Sequence, residues 1–140
     1  MEYPWPQGQR RRIFQLSAGS QCIHIALVTE TVLKSGINLK SNPNYKVYTK
    51  NRLNRAGGGV AIVIHRSINH CTLPDFKLKV IESLGIEIET FFGKIMIAAA
   101  YLPFECKGVN ENCFKGDLNK LTRNRSRFLI AGDFNSKHRT

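Results

Sequence analysis

Asp133 and Asn135 stand two residues apart in the run Phe128-Leu129-Ile130-Ala131-Gly132-Asp133-Phe134-Asn135, which reads as a buried strand running into a glycine turn. Side chains at i and i+2 of an extended segment share one face. The carboxylate and carboxamide would therefore point at a single ligand while Phe134 packs away from it. A carboxylate can take a proton from water and an amide N–H can donate to a developing oxyanion, a pairing suited to phosphoester hydrolysis. Another carboxylate, Glu30, follows the nearly continuous apolar and β-branched run Ile23 to Thr29. Two hard oxygen donors at strand ends suit Mg²⁺, which takes one or two carboxylates, keeps waters and leaves positions for phosphate oxygens. Taken singly, a Glu beyond a strand is most often a solvated residue, and a Gly-Asp pair is often an ordinary turn. It is their occurrence together, at equivalent strand ends, that carries weight.

The elements that must position these groups can be read from periodicity. Ile23 to Thr29 predicts a strand buried on both faces. Pro43 and Asn44 mark a turn, Tyr45 to Lys50 alternates like a half-exposed strand, and Arg55 to Gly59 is a glycine loop leading into a strand over Val60 to Ile64. The triple glycine lacks a trailing Lys-Ser/Thr and feeds a strand, so it reads as a turn and not as a phosphate loop. Val80 to Glu89 sets Leu84, Ile86 and Ile88 on one face against Glu87 and Glu89 on the other. Lys94 to Leu102, closed by Pro103, reads as its antiparallel neighbour joined near Gly93. Phe114, Leu118 and Leu121 fall at i, i+4 and i+7, predicting an amphipathic helix over Val109 to Thr122 before the last strand, Phe128 to Ala131. Arg10 to Ser20 could form a short helix after a Pro-rich start. The pattern is that of a mixed α/β sandwich.

The 140 residues, 42% of them hydrophobic, suffice for one ordinary domain. Lys and Arg number 21 against 10 Asp and Glu, for a net charge of +11 and a pI near 9.9. That balance points to a polyanionic partner, against the plainer reading of a basic surface that only confers solubility. The basic residues form no long run, so any basic face must be assembled by folding. Cys22, Cys71, Cys106 and Cys113 have no zinc-ligand spacing with His24, His65, His70 or His138 and fit free thiols in a reducing compartment. No signal peptide is visible, and Ile95 to Leu102 falls far short of the ~18 apolar residues needed to cross a bilayer. An intracellular protein without membrane partners is expected.

These pieces resemble the endonuclease/exonuclease/phosphatase superfamily, and within it the endonuclease domains of Jockey-like non-LTR retrotransposons. Ile25-Ala26-Leu27-Val28-Thr29-Glu30-Thr31 looks like the family strand that ends in a metal-binding Glu, and Ala56 to Ile64 like its GGVAI strand. Ala99-Ala100-Tyr101-Leu102-Pro103 is similar to its Tyr-x-Pro strand end, and Gly132-Asp133-Phe134-Asn135 to its GDxN motif. The resemblance covers residues 23–140 and leaves 1–22 as an irregular or short-helical segment.

It implies an α/β (α+β) fold, a four-layer sandwich of two stacked mixed β-sheets flanked by helices. It also implies Mg²⁺, or Mn²⁺, bound by Glu30, with Tyr101 on the scissile phosphate. Asp133 would orient or deprotonate water and Asn135 would stabilise the transition state. DNA is the implied substrate, the nucleus the implied location, and the remainder of a reverse-transcriptase polyprotein an implied partner. Family members open with a strand ending in an Asn of the metal site and continue past GDxN to a further Asp and an Asp-His pair. The sequence shows no counterpart of these, so the resemblance implies a truncated and impaired copy, with His138 a loop residue near the site. Two other functions stay open: a non-catalytic basic nucleic-acid binder, and a metal-dependent phosphatase for a small phosphoester.

Overall fold

The computed structural model of the chain describes residues 23–31, 43–52, 57–103 and 111–135. The predicted helix over Arg10 to Ser20, the rest of segment 1–22, Cys106 and His138 lie outside the described residues. Along the chain run β1 (Ile25–Thr29), β2 (Tyr45–Lys50), β3 (Val60–His65), β4 (His70–Thr72), β5 (Glu82–Thr90), β6 (Gly93–Tyr101), α1 (Glu111–Thr122) and β7 (Phe128–Asp133). They form an antiparallel sheet of order β1-β3-β2 and a mixed sheet of order β4-β5-β6-β7, in which β6 and β7 are parallel.

The two sheets stack because alternate residues of their central strands are apolar. Val60, Ile62 and Ile64 of β3 meet Ile86 and Ile88 of β5 and Ile97, Ala99 and Tyr101 of β6. Burying each such Val or Ile side chain contributes roughly 1.5–3 kcal/mol. The opposite face of β6 is also covered. Ala100 lies with Ile81 and Leu121 in a second cluster that Phe114 and Leu118 of α1 and Ile130 of β7 complete. Among the described residues the layers are therefore α1, the mixed sheet and the antiparallel sheet, the two stacked sheets and one helical layer of the expected four-layer α/β sandwich. Burial of β6 on both faces follows from its nearly continuous apolar sequence.

β1 departs from expectation. It is shorter than predicted and half-buried at every residue, where burial on both faces was expected. Among the described residues it pairs only with β3. β4, three residues long, was not legible in the sequence at all.

Close approach fixes the join between β6 and β7. A Cβ built on Gly132 would lie 1.6 Å from the Ala100 carbonyl oxygen, so only glycine lets the strands pair there. A second constraint comes from α1. Asp117 lies on the helix's apolar side and is 1% exposed. Its carboxylate accepts the backbone N–H groups of Lys79 (2.9 and 3.1 Å), Val80 (2.8 Å) and Ile81 (3.0 Å). This clamp holds the segment that enters β5, whose first residue is Glu82.

Candidate active site

The carboxyl ends of β1, β2, β6 and β7 and the amino ends of β3 and β5 lie at one end of the stacked sheets, as the pairing registers require. Three polar residues there form one cross-strand row: Glu82 of β5 is the register partner of Tyr101 of β6, and Tyr101 is the partner of Asp133 of β7. Glu30 reaches the row from the other sheet. It sits one residue past β1 with φ of 51°, a left-handed turn of the chain, and its Oε1 accepts the Tyr101 hydroxyl at 2.7 Å. Residues 71 positions apart in sequence are thereby joined across the sheet interface.

Tyr101 is only 5% exposed, whereas Glu30 lies at the surface. Burial pushes the Tyr101 phenol well above its usual range, and the hydrogen bond to Glu30 and that carboxylate's charge raise it further. A hydrogen bond with Asn135 and the charge of Arg52 pull the other way. The balance keeps the phenol protonated at neutral pH, so it acts as a hydrogen-bond donor.

Asp133 and Asn135 do come together at this end, but not as two teeth of an extended strand. β7 stops at Asp133, and Asn135 adopts φ of 48°. The chain folds back so that the Asn135 N–H donates to Asp133 Oδ1 at 2.8 Å, an Asx turn that replaces the predicted alternation. The Asn135 Nδ2 donates to the Leu102 carbonyl at 2.7 Å, which anchors the carboxamide beside Tyr101. Glu30, Tyr101 and Asn135 thus share contacts, while exposed Asp133 joins them through its turn with Asn135.

Sequence reasoning missed Arg52 and Glu82. Arg52 Nε donates to Glu82 Oε1, and the second carboxylate oxygen accepts the Gly59 N–H at 2.8 Å. The glycine run is the turn that was predicted, with φ of 85°, 73° and 89° at Gly57, Gly58 and Gly59, and it also houses this ion pair. A basic residue just after one strand and an acid opening another were the available signals. Beside them Thr31 Oγ1 and Asn51 Oδ1 are buried, with no hydrogen-bond partner among the described residues.

The donor set fits a hard cation bound in the open manner. Among the described residues no cluster of three His, Cys, Asp or Glu side chains encloses a cation. Mg²⁺ is characteristically held by one or two carboxylates, with water and substrate phosphate completing the shell. The exposed Glu30 carboxylate, fixed at one oxygen by Tyr101, is a group of that kind.

A sequence profile described as "Endonuclease/Exonuclease/phosphatase family" matches residues 5–140. The chain is 28% identical over 119 residues to the RNA-directed DNA polymerase from mobile element jockey of Drosophila funebris. It is 30% identical over 118 residues to the probable RNA-directed DNA polymerase from transposon X-element of Drosophila melanogaster. Each match covers 83% of this chain and 12% of the relative, so the chain spans a small part of those proteins. In fold it is similar to the human Nocturnin catalytic domain solved with a bound sulfate anion. That match has a TM-score of 0.58 at 13% identity and covers 94% of this chain and 58% of the other. With the family match spanning nearly the whole sequence and the stacked-sheet architecture in agreement, the chain belongs to the endonuclease/exonuclease/phosphatase family.

Proposed function

We propose that the protein hydrolyses phosphodiester bonds in DNA with the help of Mg²⁺, as an endonuclease of retroelement type. The observation that carries this reading is the hydrogen bond from Tyr101 to Glu30, with Asn135 at the same hydroxyl. Three residues from separate motifs meet at one strand end beside Asp133. The net charge of +11 supports a polyanionic substrate, and the names of the two relatives, RNA-directed DNA polymerases of a mobile element and a transposon, support DNA.

Glu30 would hold the cation, which when bound neutralises phosphate charge and polarises the P–O bond. The Asp133 carboxylate accepts the proton of the attacking water, and its turn with Asn135 fixes where that water must stand. The Asn135 carboxamide keeps one N–H on the Leu102 carbonyl and turns the other from the Tyr101 hydroxyl to a non-bridging oxygen as charge builds on the phosphorus centre. Tyr101 stays protonated and its single O–H is spent on the Glu30 carboxylate, which it orients beside the scissile phosphate; it does not attack as a phenolate. Segments of a longer polyprotein would be its natural partners.

Nicking of supercoiled plasmid by the purified protein, with Mg²⁺ or EDTA and with Asp133→Ala, tests this. Nicking that requires Mg²⁺ and falls at least about a hundredfold in Asp133→Ala is the expected result. DNA binding that persists in EDTA and in Asp133→Ala, without nicking, would replace it with a non-catalytic binder. Hydrolysis of a small phosphoester with no salt-dependent DNA binding would move the substrate class.

A further inference from the structure

The ion pair between Arg52 and Glu82 is more heavily built than a fold-stabilising contact needs to be. Its side chains are 12% and 20% exposed. Burying a charge pair offers little net gain over an apolar pair of similar volume, because both ions must leave water. Yet the surrounding backbone is shaped for it. A Cβ on Gly58 would come within 2.9 Å of Arg52 Cζ and Nε and of Glu82 Oε2. Gly58 and Gly59 both take left-handed φ values that other residues rarely adopt. The pair also lies in the row that forms the site, since Glu82 is the cross-strand neighbour of Tyr101 and the Arg52 charge is felt at the Tyr101 hydroxyl.

Charge gives that placement a purpose. Glu30 and Asp133 put two carboxylates at the mouth of the site, a field that repels a phosphodiester. A guanidinium matches phosphate oxygens in geometry and charge, and remains protonated at any working pH. We propose that Arg52, held by Glu82 within the glycine turn, is the cation that orients the substrate phosphodiester against Tyr101 and Glu30. This assignment rests on the proposed phosphodiesterase activity and adds a substrate-binding residue to it. Glu82 is then a positioning residue, gripping the guanidinium from behind and tying it to the Gly59 amide.

The test uses the full chain with Arg52→Lys, Arg52→Met and the double variant Arg52→Met/Glu82→Gln. The double variant leaves no orphaned buried charge and retains an acceptor for the Gly59 N–H, so it guards against simple misfolding. KM and kcat for plasmid nicking, anisotropy of a fluorescent DNA duplex in Ca²⁺, calorimetric Mg²⁺ binding and urea unfolding are compared. The expected result is a roughly tenfold or larger rise in KM and in duplex dissociation constant for the double variant. Its Mg²⁺ affinity should be unchanged or tighter, and Arg52→Lys should restore part of the loss. Wild-type KM and duplex affinity in a folded double variant would overturn the assignment while leaving the proposed function standing. Parallel losses in Mg²⁺ affinity and urea midpoint, without rescue by Arg52→Lys, would reduce the pair to a structural brace and also overturn it. A wild-type protein that neither nicks nor binds the duplex would refute the proposed function first, and this assignment with it.

Discussion

Replacing Asp117 by alanine should cost this fold more than any surface charge could. The carboxylate is 1% exposed and serves three successive amides, those of Lys79, Val80 and Ile81, at 2.8–3.1 Å. Lys79 is exposed, so water can replace the acceptor there, but Ile81 is buried and Val80 half-buried. A hydrogen bond to a charged acceptor is worth about 1.5–3 kcal/mol, so two shielded amides set a loss of roughly 3–6 kcal/mol. Water entering the vacated space favours the lower half of that range, near 3–4 kcal/mol. With a urea m-value of about 1–3 kcal/mol/M for a small domain, the midpoint should fall by about 1–4 M. Asp117→Asn keeps one acceptor oxygen but turns an NH₂ group toward the amides, and should lose about half as much. Urea unfolding followed by circular dichroism reads both. A midpoint within about 0.5 M of wild type for Asp117→Ala would refute the claim that this carboxylate clamps the entry to β5.

Gly132→Ala places a methyl group 1.6 Å from the Ala100 carbonyl oxygen, an overlap between backbones that no rotamer change relieves. It should destabilise by at least about 3 kcal/mol, read as a lower melting temperature with Asp133 chemically intact. Tyr101→Phe should leave the absorbance titration at 295 nm unchanged between pH 9 and 11, because the raised phenol does not ionise there. The stability contributed by the protonated phenol is complete below the ordinary tyrosine pKa near 10 and is lost only as pH climbs through the raised folded value. A wild-type step of one tyrosine in that window, missing from Tyr101→Phe, would contradict this. Phe91 and Phe92, 98% and 75% exposed at the β5–β6 turn, can both become Ser with a stability change within about 0.5 kcal/mol and less self-association by light scattering.

Much of the fold was legible because its signals are local. β2 has its predicted bounds, although its burial stops alternating after Val47, and β3, β6 and β7 begin and end within two residues of their apolar runs; β7, expected to be buried, instead leaves Phe128 and Leu129 exposed. The helix face of Phe114, Leu118 and Leu121 packs as its spacing requires. Glu30 and Tyr101 could be nominated from their strand ends, yet nothing in their spacing shows a hydroxyl donating across the sheet interface. Asp117 escaped notice because an acid inside an apolar helical stripe has no period of its own, although that oddity was itself a signal. Arg52 and Glu82 were hidden by distance along the chain. The Asx turn at Asp133 was hidden by the left-handed backbone of Asn135, which a strand-by-strand reading does not anticipate.

The backbone at Glu30 sets function against stability. A non-glycine residue in the left-handed region gives up about 1–2 kcal/mol, and glutamate has no special ease there, unlike asparagine or glycine. Drift toward a more stable chain would therefore favour Gly or Asn at this position and would erase the carboxylate that Tyr101 holds. A glutamate that persists at Glu30 under selection is being kept against the fold's own preference, which makes that one position a sensitive record of whether the site is still in use.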